Sequence, residues 1–266
     1  MTINVSVAGA TGWTGRAIAE AVLAADDLNL CSAVSRSSAG RDLGAAWGAE
    51  PLGVPVFGRV AEALTGVDVL VDYTSDEVVL SNALAAIARN VCVVIGTSGL
   101  TAADFAVIEQ AAVEAGVGVV AAGNFSLTAA MAQAAALLVA RHLPHREIID
   151  YAAAGKPDAP SGTSRELAER LAAVRLNQVE LPPEQTRGRA EARGTTVAGT
   201  QIHSVRLPSF VVSTEVLFAL PDERLSIRHD AGGSTAPYVA GTLLAVRAVT
   251  GRPGLIRGLD TLLLAG

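Results

Sequence analysis

The chain has 266 residues, half of them apolar, so it is long enough to bury one large core or two ordinary ones. Its net charge of −6 is mild, its arginines are scattered and aromatic residues are few, which argues against a nucleic-acid-binding protein. The longest apolar stretch, Ala129 to Ala140, is too short to cross a bilayer and contains Gln133, so we predict a buried helix and no membrane span.

Two cysteines, Cys31 and Cys92, lie in apolar runs that are typical of strands. We interpret them as reduced core thiols, not as a disulfide or a metal-binding pair. The chain also starts with a strand-like run and without a basic-then-apolar leader. Both features favour a cytoplasmic protein.

The first predicted strand, residues 3–8, leads into a glycine-rich turn and then a helix over residues 16–25. Glycines at positions 9, 12 and 15 permit a tight turn and let backbone N–H groups approach phosphates. In an alternating β/α chain, the pyrophosphate of a dinucleotide binds at this first turn. We therefore predict a dinucleotide site here.

The second predicted strand, residues 28–34, ends in Ser35, Arg36 and Ser37. Enzymes that select NAD carry an acidic residue near this point to hold the ribose hydroxyls, and this chain has none before Asp42. Arg36 and its two serines are suited to a 2′-phosphate, so we predict that NADPH is favoured over NADH. The alternative is an ordinary solvated loop arginine.

The alternation of strands and helices continues to residue 121 and predicts a parallel, doubly wound sheet. Further strands are predicted over residues 67–72, 91–95 and 117–121, and helices over residues 76–89 and 102–115. Small polar residues follow these strands, at the edge where such sheets bind ligands. They are Tyr73, Thr74, Gly96, Thr97, Ser98, Asn124 and Ser126, with helix capping as the alternative role for the last two.

After residue 146 the pattern changes to consecutive strands, which predicts an antiparallel or mixed sheet in a smaller domain. The strands are predicted over residues 147–152, 200–207, 210–220 and 225–229, and residues 181–193 form a mobile loop. A final helix, residues 234–250, is expected to return to the first domain. The predicted domains are residues 1–125 with 234–266, and residues 126–233.

The most informative segment runs from Lys156 to Thr163, Lys-Pro-Asp-Ala-Pro-Ser-Gly-Thr. Lys156 is the only lysine, and the other nineteen basic residues are arginine. Lysine can give up its proton at working pH and arginine cannot, so this position suggests proton transfer. Thr163 and Glu166 fit a capping box at a helix start, and a helix start suits a carboxylate or phosphate. The alternative is a surface loop with a stray lysine and an ordinary cap.

These motifs, in this order, resemble the dihydrodipicolinate reductase family over essentially the whole chain. The resemblance is carried by the glycine turn, Val71-Asp-Tyr-Thr74, Gly96-Thr-Ser-Gly99, Asn124-Phe-Ser126 and, most specifically, Lys156 to Thr163. Residues 202–208 and 227–230 are similar to later strands of the family. The resemblance implies a Rossmann domain plus an α+β domain with an open mixed sheet that builds a homotetramer.

The resemblance also implies an activity: reduction, by NADPH or NADH, of a conjugated cyclic imine dicarboxylate in lysine and diaminopimelate biosynthesis. Lys156 would donate a proton, and Ser161, Gly162 and Thr163 would hold a substrate carboxylate. No metal is implied. The residues implied for the cofactor are Gly9, Thr11, Gly12, Trp13, Thr14, Gly15, Ser35, Arg36, Ser37, Tyr73, Thr74, Gly96, Thr97, Ser98, Asn124, Phe125 and Ser126.

The chain departs from the family pattern at one point. Just before the lysine the family has a pair of histidines that supply a catalytic acid and a substrate contact, and this chain has Ala152 and Ala153 there. A less acidic imine substrate, or a non-catalytic nucleotide-binding sensor or scaffold, are therefore alternatives. The remaining histidines are interpreted as helix-end or structural residues: His142, His145, His203 and His229.

Overall fold

The computed structural model describes residues 2–264, which form two compact units. The first unit comprises the chain up to Leu127 and again from Thr235 onward. The second unit is Thr128–Ser234. The sequence-based boundaries lie one or two residues before these positions.

The first unit alternates strands with helices along the chain. Its elements are β1 (Ile3–Ala8), α1 (Trp13–Leu23), β2 (Leu28–Val34), α2 (Leu43–Ala46), β3 (Val56–Phe57), β4 (Val69–Asp72), α3 (Val79–Ile87), β5 (Cys92–Ile95), α4 (Ala102–Ala115) and β6 (Gly118–Ala121), followed near the end of the chain by α7 (Ala236–Val249), β12 (Gly254–Arg257) and α8 (Leu259–Leu264). Within the described chain, seven strands form a parallel sheet in the order β12-β6-β5-β4-β1-β2-β3. This confirms the predicted doubly wound fold.

The central strands of this sheet are buried on both faces, as parallel strands between helices must be. Strand order reverses between β1 and β4, because β2 continues on one side and β5 on the other. Ligands of such sheets bind beyond the carboxyl ends of the strands at this reversal. The glycine turn after β1 and the polar residues after β4 and β5 all lie at that edge.

A buried carboxylate joins the carboxyl ends of β4 and β5. Asp72 is fully buried and accepts hydrogen bonds from the backbone N–H and the hydroxyl of Thr74, at 2.9 and 2.6 Å. It also accepts from the Thr97 hydroxyl at 2.8 Å and the Asn82 amide at 2.9 Å. Buried charge is tolerated when it is hydrogen-bonded in this way. Asp72 therefore fixes Thr74 and Thr97, two predicted site residues, relative to each other.

The second unit packs two helices on one face of a mixed sheet. Its elements are α5 (Leu127–Ala140), β7 (His145–Ala152), α6 (Gly162–Val174), β8 (Thr195–Val197), β9 (Thr200–Arg206), β10 (Val212–Leu220) and β11 (Glu223–Asp230). The strand order is β11-β10-β7-β9-β8; β7 and β9 are parallel and the other pairs are antiparallel. Ala136, Ile148, Leu171 and Phe218 are among the side chains of its buried core.

Several predictions of local structure were wrong. Helix α6 begins at Gly162 with Ser161 as its N-cap, so the capping box of Thr163 and Glu166 does not form. Helix α5 is not buried all round, because Met131 and Leu138 are exposed. The sequence patterns also missed β3, β8 and β12; β3 and β8, with two and three residues, are too short to show a clear period.

Two single-residue interpretations also need correction. Cys31 is only partly buried, whereas Cys92 is buried as expected, and both thiols are free. His145 is the first residue of β7 and contacts the Gln178 carbonyl oxygen through Nδ1, so it does not serve the end of α5.

Asp72→Asn should lower the free energy of unfolding by about 1–3 kcal/mol, because one acceptor oxygen becomes an amide donor facing buried donors. The comparison is Asp27→Asn, which removes an exposed carboxylate paired with Arg247 and should change stability little. Urea unfolding followed by circular dichroism measures both variants. Equal midpoints for Asp72→Asn and wild type would show that the Asp72 cluster does not hold these strand ends.

Candidate active site

The glycine turn after β1 is shaped by close backbone approaches. Gly9 has φ +83°, and a Cβ atom there would lie 2.2 Å from the Tyr73 carbonyl oxygen. A Cβ atom on Gly15 would lie 2.1 Å from the Gly9 carbonyl oxygen. Only glycine fits at either position. The N-cap of α1 is Gly12, which makes no side-chain cap, so the first N–H groups of α1 fit a diphosphate.

The hydroxyls after β2 lie beside this turn. Thr11 Oγ1 is 2.7 Å from Ser35 Oγ, and Ser35 Oγ is 3.3 Å from Ser37 Oγ. Arg36 and Ser37 are exposed, and Arg36 has no ion-pair partner anywhere in residues 2–264. The structure thus brings Thr11, Ser35 and Ser37 together and leaves a cationic side chain available next to them.

Tyr73 is held against the start of the loop after β5. Its hydroxyl is 2.8 Å from the Thr242 hydroxyl, and Thr242 donates to the Tyr238 carbonyl oxygen. Burial raises the pKa of Tyr73, so the phenol is neutral at physiological pH. A Cβ atom on Gly96 would lie 2.2 Å from the Tyr73 ring. Glycine at 96 is therefore required for the ring to pack flat against the backbone.

The other predicted cofactor residues of the first unit differ in exposure. Asn124, Phe125 and Ser126 are buried, and Asn124 Oδ1 accepts from the Ser126 N–H at 2.8 Å. These residues lie between the end of β6 and the start of α5. Trp13 and Ser98 are exposed, and Thr14 is half-buried.

In the second unit, Lys156 lies in the loop between β7 and α6. Its Nζ forms an ion pair with Asp158 Oδ1 at 2.7 Å, and 29% of its side chain is exposed. A turn closed by the Lys156 N–H and the Ala153 carbonyl oxygen precedes it. The ammonium group is thus held by one carboxylate, on a side chain that is partly exposed.

Asp150, in the interior of the second unit, holds the start of α6 by hydrogen bonds. This fully buried carboxylate accepts from the Ser161 N–H at 2.9 Å and the Ser161 hydroxyl at 2.6 Å. The Ser161 side chain is therefore turned inward. The N–H groups of Gly162 and Thr163 precede the first intrahelical bond of α6, which joins the Arg165 N–H to the Ser161 carbonyl oxygen. Gly162 and Thr163 therefore lie in the first turn of α6, at the positive end of the helix dipole.

Asp150 was not singled out in the sequence, although a signal for it exists. It lies on the buried side of β7, together with Arg146, Ile148 and Ala152, and a buried charge requires partners. Burial raises the pKa of Asp150, but the hydrogen bonds from Ser161 and Arg206 outweigh burial and hold the pKa below its ordinary value. Asp150 therefore stays ionised near neutral pH.

The two alanines before the lysine have different surroundings. Ala152 is fully buried at the end of β7, whereas Ala153 is exposed. Only position 153 therefore faces open space. Thr163 lines a small cavity together with Thr214 and His229, and burial lowers the pKa of His229. His203 forms a 2.7 Å contact with Glu147, as expected for a structural histidine.

No group of three or more His, Cys, Asp or Glu side chains in residues 2–264 is arranged to hold a metal ion. Over the same range, each helix is too short or too polar to traverse a bilayer.

Structures of known proteins are similar to this chain over almost its full length. Dipicolinate-bound dihydrodipicolinate reductase from Paenisporosarcina sp. TG-14 superposes with a TM-score of 0.77 and 28% identity, covering 98% of this chain and 100% of that one. The amine dehydrogenase from Mycobacterium smegmatis shares the fold, with a TM-score of 0.66 and 16% identity over 96% of this chain and 95% of that one.

Sequence comparison is more specific. The 4-hydroxy-tetrahydrodipicolinate reductase of Desulfitobacterium hafniense is 37% identical over 98% of both chains. The enzyme of the same name from Moorella thermoacetica is 38% identical over the same shares. Family models for the N-terminus and C-terminus of dihydrodipicolinate reductase match residues 3–125 and 123–263. The chain therefore belongs to the dihydrodipicolinate reductase family of nicotinamide-dependent oxidoreductases.

Proposed function

We propose that this protein uses a reduced nicotinamide cofactor to reduce the C=N bond, or the conjugated system, of a cyclic imine that carries a carboxylate. The observation that carries the proposal is the Lys156 loop, in which a partly exposed lysine precedes the start of α6. The relatives' names, 4-hydroxy-tetrahydrodipicolinate reductase, support a place in lysine and diaminopimelate synthesis.

The residues of the first unit fit a dinucleotide. The uncapped start of α1 and the glycine turn would hold the diphosphate, and Thr11, Ser35, Arg36 and Ser37 would hold the adenosine ribose. Tyr73, Thr74, Gly96, Thr97 and Ser98, with Asn124, Phe125 and Ser126, would line the nicotinamide end. When bound, the cofactor supplies a hydride.

The residues of the second unit would complete the reduction. The Gly162 and Thr163 N–H groups would bind the substrate carboxylate, helped by the dipole of α6. Ser161 would act through its N-cap bond and its contact with Asp150, not by touching the substrate. Lys156 Nζ would give a proton to the substrate atom that gains an electron pair when the hydride adds to carbon. The Lys156 side chain, left as a neutral amine, would then recover its proton from solvent.

A second candidate function is favoured by Ala152 and Ala153. An alanine can neither transfer a proton nor bind a carboxylate, so a substrate with two carboxylates loses one partner here. The alternative substrate is an imine or enamine with one acidic group and a more apolar remainder. A non-catalytic sensor or scaffold is the rival from another class, and the retained Lys156 and its ion pair with Asp158 argue against it.

Two further predictions accompany this function. The sheet face opposite α5 and α6 carries half-exposed Ile149, Val205 and Leu217, which supports a homo-oligomer, a tetramer by family resemblance. A cytoplasmic location is our prediction from the sequence.

Arg36→Ala tests the preference for NADPH. Loss of a charged partner for the 2′-phosphate should weaken NADPH binding by about 1–3 kcal/mol and leave NADH binding unchanged. Fluorescence titration with both cofactors measures this. Arg224→Ala, at an exposed arginine of β11, is the matched control. An equal loss for both cofactors would remove the phosphate role from Arg36.

Lys156→Met tests the proton donor, because it keeps the side-chain stem and removes the ammonium. Turnover should fall by roughly a hundredfold or more, as expected for general acid catalysis, while NADPH affinity stays the same. Lys156→Arg should fail as well, because arginine keeps its proton. Steady-state oxidation of NADPH with a panel of cyclic imines provides the measurement, and normal turnover in Lys156→Met would make the residue a bystander.

The substrate alternative is tested by restoring histidine. Ala153→His, alone and combined with Ala152→His, should raise catalytic efficiency on the cyclic imine dicarboxylate. The single variant is needed because Ala152 is fully buried and a larger side chain there can strain the end of β7. If the wild type already reaches about 10⁴ M⁻¹s⁻¹ on the dicarboxylate, the alanines changed nothing and the alternative is wrong.

A further inference from the structure

The loop that carries Lys156 is tied down by an arginine from the neighbouring strand. Residues 153–160 are largely exposed and contribute no helix or strand. Arg206, the last residue of β9, lies opposite Ala152 in the parallel pairing of β7 and β9. Its Nη2 donates to the Asp158 carbonyl oxygen at 2.7 Å. This bond joins the middle of an exposed loop to the sheet.

Arg206 makes this contact because Asp150 orients its guanidinium. Nη2 also donates to Asp150 Oδ2 at 2.8 Å, and Nη1 donates to the Asp150 and Val205 carbonyl oxygens at 3.2 and 3.0 Å. One planar, forked cation thus serves four acceptors. A lysine ammonium is a single point and lacks this fork.

The chain of contacts ends at the ammonium group. Asp158, whose backbone Arg206 holds, pairs through Oδ1 with Lys156 Nζ. We propose that Arg206 is a positioning residue for the reaction, and that it fixes Lys156 Nζ through Asp158. The inference rests on the proposed proton-donor role of Lys156. A mere packing role for Arg206 would stabilise the unit without acting through the lysine.

The first part of the test measures hydrogen exchange in the loop and does not depend on enzyme activity. Hydrogen exchange by mass spectrometry is followed in peptides covering residues 153–161 for wild type, Arg206→Lys and the control Arg224→Lys. Arg206→Lys keeps a cation for Asp150 and removes the fork. Amides of the loop should exchange about tenfold faster or more in Arg206→Lys, because their anchor opens locally. Unchanged exchange would overturn the anchoring role.

The second arm measures coupling to the lysine. Arg206→Lys should lower kcat by about tenfold to a hundredfold through misplacement of the acid, with a smaller change in KM. In a Lys156→Met background the same substitution should cause no further loss, because residues that act as a unit are non-additive. An equal loss in both backgrounds would make Arg206 merely structural and overturn the proposal.

A second variant keeps the test decisive if Arg206→Lys unfolds. Asp158→Asn leaves the carbonyl anchor in place and removes only the ion pair. It should lower kcat with unchanged loop exchange, again with no further loss beside Lys156→Met; an unchanged kcat would overturn the link from Asp158 to the lysine. A wild type that reduces no cyclic imine would defeat the proposed function, while the exchange arm would still decide whether Arg206 anchors the loop.

Discussion

Asp150 is the residue on which the arrangement of the second unit depends. Its buried carboxylate caps the start of α6 through Ser161 and orients Arg206, whose guanidinium in turn holds the lysine loop. Burying a carboxylate without partners costs folding free energy, so this fold can bury Asp150 only together with these contacts. The helix start that would bind a substrate carboxylate and the loop that carries the ammonium are therefore fixed by one charge.

The first unit also has a buried carboxylate that orders polar residues, at the edge of its sheet. Asp72 is fully buried and binds Thr74 and Thr97 at the ends of two parallel strands, together with Asn82 of α3. In both units the anion is buried and orders hydroxyl and N–H groups around it. Rigid elements thereby hold these polar groups at defined positions.

Much of this could be predicted from the sequence because the signals are local. The period of β1, the spacing of Gly9, Gly12 and Gly15, and the segment from Lys156 to Thr163 identify the fold and the family. The inward turn of Ser161 could not be predicted, because its partner Asp150 is eleven residues away and its orientation follows from sheet pairing. The same holds for the contacts of Arg206, which lies in the family-like segment 202–208 but reaches Asp150 and Asp158 only through the register of β9.

The surroundings of Ala152 and Ala153 indicate what the absence of the histidine pair changes. Ala152 is enclosed at the end of β7, whereas Ala153 lies in the exposed loop. The contacts that secure Lys156 and the start of α6 involve neither position. In the proposed function, the proton donor Lys156 and the carboxylate site at the start of α6 would persist without the histidines, and the wall beside the lysine would differ. That difference would bear on which imine is accepted.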